Sequence, residues 1–485
     1  MRAIFFTFVE MKKFISFSVF QFCIALLFLC TAAGIGQTPE TEGWRAGIAR
    51  AIITPEEPMW MAGYASRNHP SEGTLVDLWA KVLALEDAKR EKVVLITTDL
   101  LGFPKNISDR IRDQIGVQYG LKRAQIILSS SHTHTGPVLT DALADIYSFD
   151  EKQAEIILNY SNHLEKKIVD LTGVALRSMV PARIFSGNGI TRFQVNRRHN
   201  AETTLTAQTE LTGPNDYAVP VLKVTDSRGN LLTVAFGYAC HATVLKIYRF
   251  SGDYPGFAQI EIETMYPGAT AMFFQGAGAD QNPLPRGTIS LAQQYGRELA
   301  SAVDRVLKED MKELEPSISN GYSEFALTFA TILSKEALEK MEHDSTGYKK
   351  RWAARQLETL RTAGKLPESY PSYPVQIWKL GDQPLMVLGG EIVVQYAIEL
   401  KKLFGPELFV IGYANDEMGY IPSETVLSEG GYEGDFSHMV YGMPGKWSAG
   451  IQVKILNEIK KLAEITGVNQ VTKNSYQHDI EPIRH

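Results

Sequence analysis

From residue 44 onward the chain alternates short, nearly continuous apolar runs with longer stretches whose apolar residues recur at helical spacing. Short apolar runs bounded by turn residues read as buried strands. They fall at residues 81–85, 93–98, 126–128, 221–224, 232–239, 271–274, 385–388 and 408–411. Helical spacing covers residues 107–119, 154–176, 291–308, 334–362, 394–403 and 450–466. Strands interleaved with helices predict an α/β fold: a mixed β-sheet core flanked by helices, in a single large domain. The stretch from 311 to 368 is rich in Lys and Glu, with Trp352 and several Leu at helical spacing. It reads as a solvated helical excursion, after which a strand-like 375–380 returns to the core pattern. No repeat or low-complexity tract interrupts the chain.

The N-terminus follows a different pattern. Lys12 and Lys13 precede an apolar run over residues 14–29, followed by Thr31, Ala32, Ala33 and Gly34. A basic start, an apolar centre and a small-residue exit are the parts of a secretory signal. Gln21 interrupts the run, which is short for a membrane span. The expected division is a signal peptide at 1–36 and one large domain at 37–485, in a secreted or periplasmic protein. An N-terminal membrane anchor is the alternative. Of three cysteines, Cys23 and Cys30 fall in the signal, leaving Cys240 alone in the mature chain. The formal net charge of -6 offers no basic footprint for nucleic acid. No obligate protein partner is implied.

Ligands of α/β sheets gather beyond the carboxyl ends of strands. The residues that follow each predicted strand are selective. One strand ends at Asp99; the next runs into Ser131-His132-Thr133-His134-Thr135-Gly136-Pro137. Others end at Cys240-His241, Gly276-Ala277-Gly278-Ala279-Asp280-Gln281-Asn282-Pro283, Gly389-Gly390-Glu391, and Asn415-Asp416-Glu417 with Tyr420. In an extended segment residues two apart face the same side, so His132 and His134 could converge on one point. The competing reading is hydrogen bonding within a polar loop. His241 reads as a ligand or as a buried histidine satisfied by backbone. Glu391 reads as a metal-bound carboxylate or as one stabilised by a helix N-terminus. Tyr420 by itself reads as an ordinary interfacial aromatic. The Gly276–Gly278 stretch reads as a close approach to substrate or as a tight connection to a helix. Asp253 reads as a cap for the next helix.

Taken in order, these segments resemble the neutral/alkaline non-lysosomal ceramidase family. The resemblance rests on Gly63-Tyr64-Ala65, His132 to Pro137, Val195-Asn196-Arg197, Ser251-Gly252-Asp253 with Gly256, Gly390-Glu391, Gly419-Tyr420-Ile421-Pro422 and Gly431-Tyr432-Glu433. It covers roughly residues 44 to 465. It implies one catalytic Zn2+ held by His132, His241, Glu391 and Tyr420. It also implies that His134, Arg197 and Tyr420 act on the scissile amide, while Gly63, Asp280, Gln281 and Tyr432 contact the substrate. Three departures stand out. The family's loop carries a serine required for ceramide hydrolysis, but Gly278 to Pro283 holds none. The family's Pro-Gly-Glu is Gly389-Gly390-Glu391 here. The β-sandwich that follows the family's catalytic domain is not expected in this chain.

The resemblance implies a zinc-dependent hydrolase that cleaves a C–N bond in a ceramide-like or other N-acyl substrate by a metal-activated water. Such a small amphiphilic substrate is compatible with peripheral contact with lipid surfaces. Two alternatives stay open: a hydrolase of the same fold acting on a non-lipid amide or ester such as an acylated amino sugar, and a zinc-bearing binding protein without turnover.

Overall fold

Strand alternation decides which layer each residue enters. In the strand Lys92–Thr98, Val94 and Ile96 pack with the helices Lys105–Tyr119 and Glu151–Arg177, while Val93 and Leu95 face the opposite side. The computed structural model describes residues 43–471. The expected signal peptide lies outside those residues.

A nine-stranded sheet contains β1 (Trp44–Ile52), β2 (Trp79–Glu86), β3 (Lys92–Thr98), β4 (Ile126–Ser130) and β5 (Val180–Ile190). A short β6 (Gln194–Asn196) follows, and the sheet continues with β7 (Ala218–Asp226), β8 (Leu231–Tyr238) and β9 (Thr270–Gln275). Its order is β4-β3-β2-β1-β5-β7-β8-β9. Downstream of β10 (Gln281–Pro283), β11 (Lys312–Glu313) is added beside β5. The pairs β3/β4 and β8/β9 are parallel, and the rest of this sheet is antiparallel. A second sheet runs β12 (Ile318–Thr328), β13 (Ser369–Leu380), β14 (Gln383–Leu388) and, beyond β15 (Glu391–Ile392), β16 (Phe409–Ile411), with β14 and β16 parallel.

The two sheets face each other across a core that includes Leu95, Ile127, Met272, Trp378, Leu385 and Phe409. Outside the first sheet, Val94 and Leu128 pack under one helix pair, and Phe236 and Phe273 under Asp253–Met265 and Ile289–Lys308. Outside the second, Ile377 and Leu388 meet Val394–Phe404 and Ile451–Thr466. The result is a helix–sheet–sheet–helix stack, the mixed α/β architecture that the alternation predicts. No helix among the described residues is long and apolar enough to cross a membrane.

Several elements depart from the expectation. β1, β5 and β12 are strands that the apolar runs do not announce. In β5, Pro181 and two glycines dilute the pattern; in β12 it is Asn320-Gly321 and a register shift between Phe325 and Leu327. The excursion after residue 311 therefore begins with sheet. Its helical part is two helices, Lys335–Asp344 and Gly347–Ala363, broken where Ser345 is extended and Gly347 takes φ 61°.

Candidate metal centre

β4, β8 and β14 deliver their carboxyl ends to one place. The last ladder bond beside β4 is Ser131 N–H to the Thr98 carbonyl (2.9 Å), after which His132 turns left-handed at φ 58°. The expectation that His132 and His134 lie in one extended segment is corrected here: a turn, not a pleat, aims them. Such a conformation is uncommon outside glycine and needs a surrounding structure that holds it. That hold comes from the hydroxyls of Thr133 and Thr135, which both donate to the Ser251 carbonyl at 2.8 and 2.7 Å.

His241 follows β8. Its backbone N–H donates to the Gln281 carbonyl (3.0 Å) and its Nδ1 lies 2.8 Å from the Gly278 carbonyl. The glycines of that loop let neighbouring backbone approach closely. A Cβ on Gly278 would lie 2.7 Å from the Cys240 nitrogen, and one on Gly276 would lie 3.1 Å from the Ala239 Cα. Neither glycine is at positive φ, and the short β10 rather than a helix follows. Glu391 and Tyr420 are brought opposite one another by parallel pairing of β15 with β17 (Tyr420–Ile421). Gly390 makes this possible: it sits at φ 69°, and a Cβ there would lie 2.6 Å from the Gly419 carbonyl oxygen.

At the centre, Glu391 Oε2 is 3.4 Å from His132 Nε2 and 3.0 Å from His241 Nε2. The Tyr420 hydroxyl is 3.3 Å from His241 Nε2. Donor atoms around a tetrahedral zinc, with bonds of about 2.0–2.1 Å, are separated by about 3.3 Å. The chemistry fits as well as the spacing. His132 Nδ1 faces the Leu101 carbonyl at 2.7 Å, and His241 Nδ1 faces Gly278. A carbonyl can only accept, so each Nδ1 carries a hydrogen, and in the neutral imidazole Nε2 then presents a lone pair towards Glu391. Burial first, then Arg197, pushes His241 down to about 4, so it is neutral near pH 7. Glu391 Oε2 has no hydrogen-bond partner among the described residues. A buried, unpartnered carboxylate oxygen met by imidazole lone pairs is a place for a cation.

His134 stands slightly apart. One nitrogen each of His132, His134 and His241 lie within 4.8 Å of one another, so these three could also hold a metal. Yet both His134 ring nitrogens lack partners among the described residues, and no carbonyl fixes its tautomer. Burial, then the neighbouring His132 and His241, pushes its pKa well down. Gly63 packs beneath this ring.

Arg197 adjoins the cluster. Its Nη2 donates to the Tyr420 hydroxyl (3.0 Å), its Nε to Glu433 (2.8 Å), and its guanidinium lies over the Tyr420 and Tyr432 rings. Asp280 is committed to the scaffold: its carboxylate accepts from Val394 N–H and from Asn196, at 2.9 and 3.1 Å. Gln281 is buried and reaches the Pro214 carbonyl at 3.4 Å. Asp253 is not a helix cap. Gly252 takes that position, and the Asp253 carboxylate accepts from the N–H groups of Val244, Leu245 and Tyr254.

Two neighbours escape sequence reasoning. The Tyr441 hydroxyl donates to Glu391 Oε1, and the Tyr413 ring lies 4.5 Å from His132. No local motif marks either; only the fold brings them in. Arg67 is a third, holding the His134 carbonyl at 2.7 Å.

A cavity of about 500 Å³ opens beside Arg197 and Tyr432, lined also by Arg198, Asn282, Arg286 and Glu433. A larger groove of about 900 Å³ between residues 53–59 and the helix Glu151–Arg177 shares no residue with the cluster.

A family model for the N-terminal part of neutral/alkaline non-lysosomal ceramidases matches residues 44–283. Similar curated proteins include the neutral ceramidases of Drosophila pseudoobscura pseudoobscura and Drosophila melanogaster. Each is 24% identical over about half of this chain. The match spans 35% and 34% of their lengths, so the chain aligns with about a third of each relative. The crystal structure of neutral ceramidase from Pseudomonas aeruginosa superposes with a TM-score of 0.68 at 18% identity, over 89% of this chain and 76% of that one. A ceramidase complexed with C2 superposes with a TM-score of 0.67. At this identity the superposition speaks for the fold.

Proposed function

Since the chain belongs, through residues 44–283, to the neutral/alkaline non-lysosomal ceramidase family, we propose that it is a zinc-dependent hydrolase of an N-acyl amide. The observation that carries this reading is the unpartnered Glu391 Oε2, faced by Nε2 of both His132 and His241. His132, His241, Glu391 and Tyr420 would hold the ion. Bound zinc supplies Lewis acidity toward a carbonyl oxygen and lowers the pKa of a neighbouring water towards about 7.

The chain's own groups do the rest. His134, neutral and free at both nitrogens, is placed to take a proton from the attacking water and return it to the departing amine. Arg197 keeps positive charge at the Tyr420 hydroxyl, where oxyanion character would develop. Gly63 supports His134, and Tyr432 walls the approach to Arg197. Asp280 and Gln281 contribute by shaping the loop that carries the His241 anchor. Export through a cleaved leader and contact with lipid surfaces accompany this reading.

Purified protein assayed on a panel of fluorogenic amides and esters, with and without chelator, tests it. Hydrolysis that stops on chelation and returns with zinc is expected; a zinc-loaded protein inert on every substrate would leave a binding protein.

A further inference from the structure

Resting on the hydrolase reading above, we infer that the cavity beside Arg197 binds an uncharged, hydroxyl-rich part of the amide substrate, as in an acylated amino sugar, rather than a hydrocarbon chain. The cavity adjoins the metal cluster through two of its lining side chains, Arg197 and Tyr432, and the Tyr432 ring packs 5.2 Å from that of Tyr420. Arg197 reaches the Tyr420 hydroxyl with Nη2 and Asn282 Oδ1 with Nη1 (3.4 Å), and Asn282 forms part of the wall. A group seated there lies next to the atoms assigned to catalysis.

The lining is charged, and every arginine in it is matched. Arg197 and Arg198 share Glu433 at 2.8 and 2.7 Å; Arg198 also meets Glu429 at 2.9 Å. At the outer rim Arg286 grips Glu202 through Nε and Nη2, at 3.0 and 2.8 Å. A phosphate or carboxylate would have to displace one of these carboxylates. An alkyl chain would cover guanidinium and carboxylate groups and return no hydrogen bond to them, which is costly. Hydroxyls both donate and accept, so a polyol can address the free N–H groups and lone pairs together. The volume of about 500 Å³ lies in the range of small-molecule sites.

The test compares kcat/KM for N-hexanoylglucosamine and N-hexylgluconamide with N-hexylhexanamide, N-hexanoylglycine and ceramide in detergent. An aryl acetate without a headgroup serves as reference. At least one polyol amide should exceed the alkyl amide, the anionic amide and ceramide by tenfold or more. Arg286→Ala, a change at a part-exposed rim pair, should raise KM for that polyol amide and cut its advantage tenfold, with kcat little altered. Preference for ceramide or the alkyl amide, or an equal loss on all substrates in Arg286→Ala, overturns the inference. Chelator-sensitive cleavage of the aryl acetate without polyol preference sinks this inference alone; no cleavage of any substrate sinks the hydrolase reading with it.

Discussion

Tyr441 donates its hydroxyl hydrogen to Glu391 Oε1, the oxygen turned away from the histidines. This fixes the carboxylate so that Oε2 faces His132 and His241. Groups that orient a metal ligand are typically worth 10–100-fold in affinity. Tyr441→Phe keeps the ring and removes the donor, so zinc affinity against a competing chelator should fall by about 10–100-fold while the fold persists. Unchanged affinity would show that Tyr441 does not orient the ligand.

Gly63 bears on the role of His134. It sits at φ 96°, and an added Cβ would lie 2.4 Å from the His134 ring. Gly63→Ala should push the imidazole aside, and a displacement near 1 Å costs about 100-fold in rate. Because His134 is assigned to proton transfer and not to the ion, bound zinc should stay constant while turnover falls. Loss of zinc in this variant would make His134 a ligand.

Asp416 predicts a pH dependence of stability. It is buried, its Oδ2 accepts from Tyr370, and its Oδ1 lacks a partner among the described residues. Burial pushes its pKa up to about 7, from 3.8. The folded state therefore keeps a proton that the unfolded chain releases. The stabilisation is fully present below about pH 3.8 and is lost as pH rises through about 7. The loss is at most on the order of 4 kcal/mol. Urea unfolding at pH 5 and pH 8 should show Asp416→Asn more stable than the parent at pH 8, with a smaller difference at pH 5. An identical pH dependence in both proteins would contradict this.

Much of the site was legible because its residues sit where strands end. A buried strand announces itself by apolar continuity, so the positions of His241 and Glu391 beyond β8 and β14 could be read directly. The turn at His132 could not, since its left-handed φ is enforced by Ser251, far along the chain. The helix expected after Asp253 starts one residue earlier than read, since Gly252 takes the cap position and Asp253 opens the first turn, where Pro255 also fits. Tyr441 is invisible for a related reason. Its hydroxyl matters only because folding places residue 441 beside residue 391.

Metal content, measured by mass spectrometry on the purified protein and on His132→Ala and Glu391→Gln, tests the central claim most directly. The parent should carry about one zinc per chain, and both variants should lose it together with chelator-sensitive hydrolysis while remaining folded. Zinc retained at full occupancy in folded Glu391→Gln and His132→Ala would contradict the account.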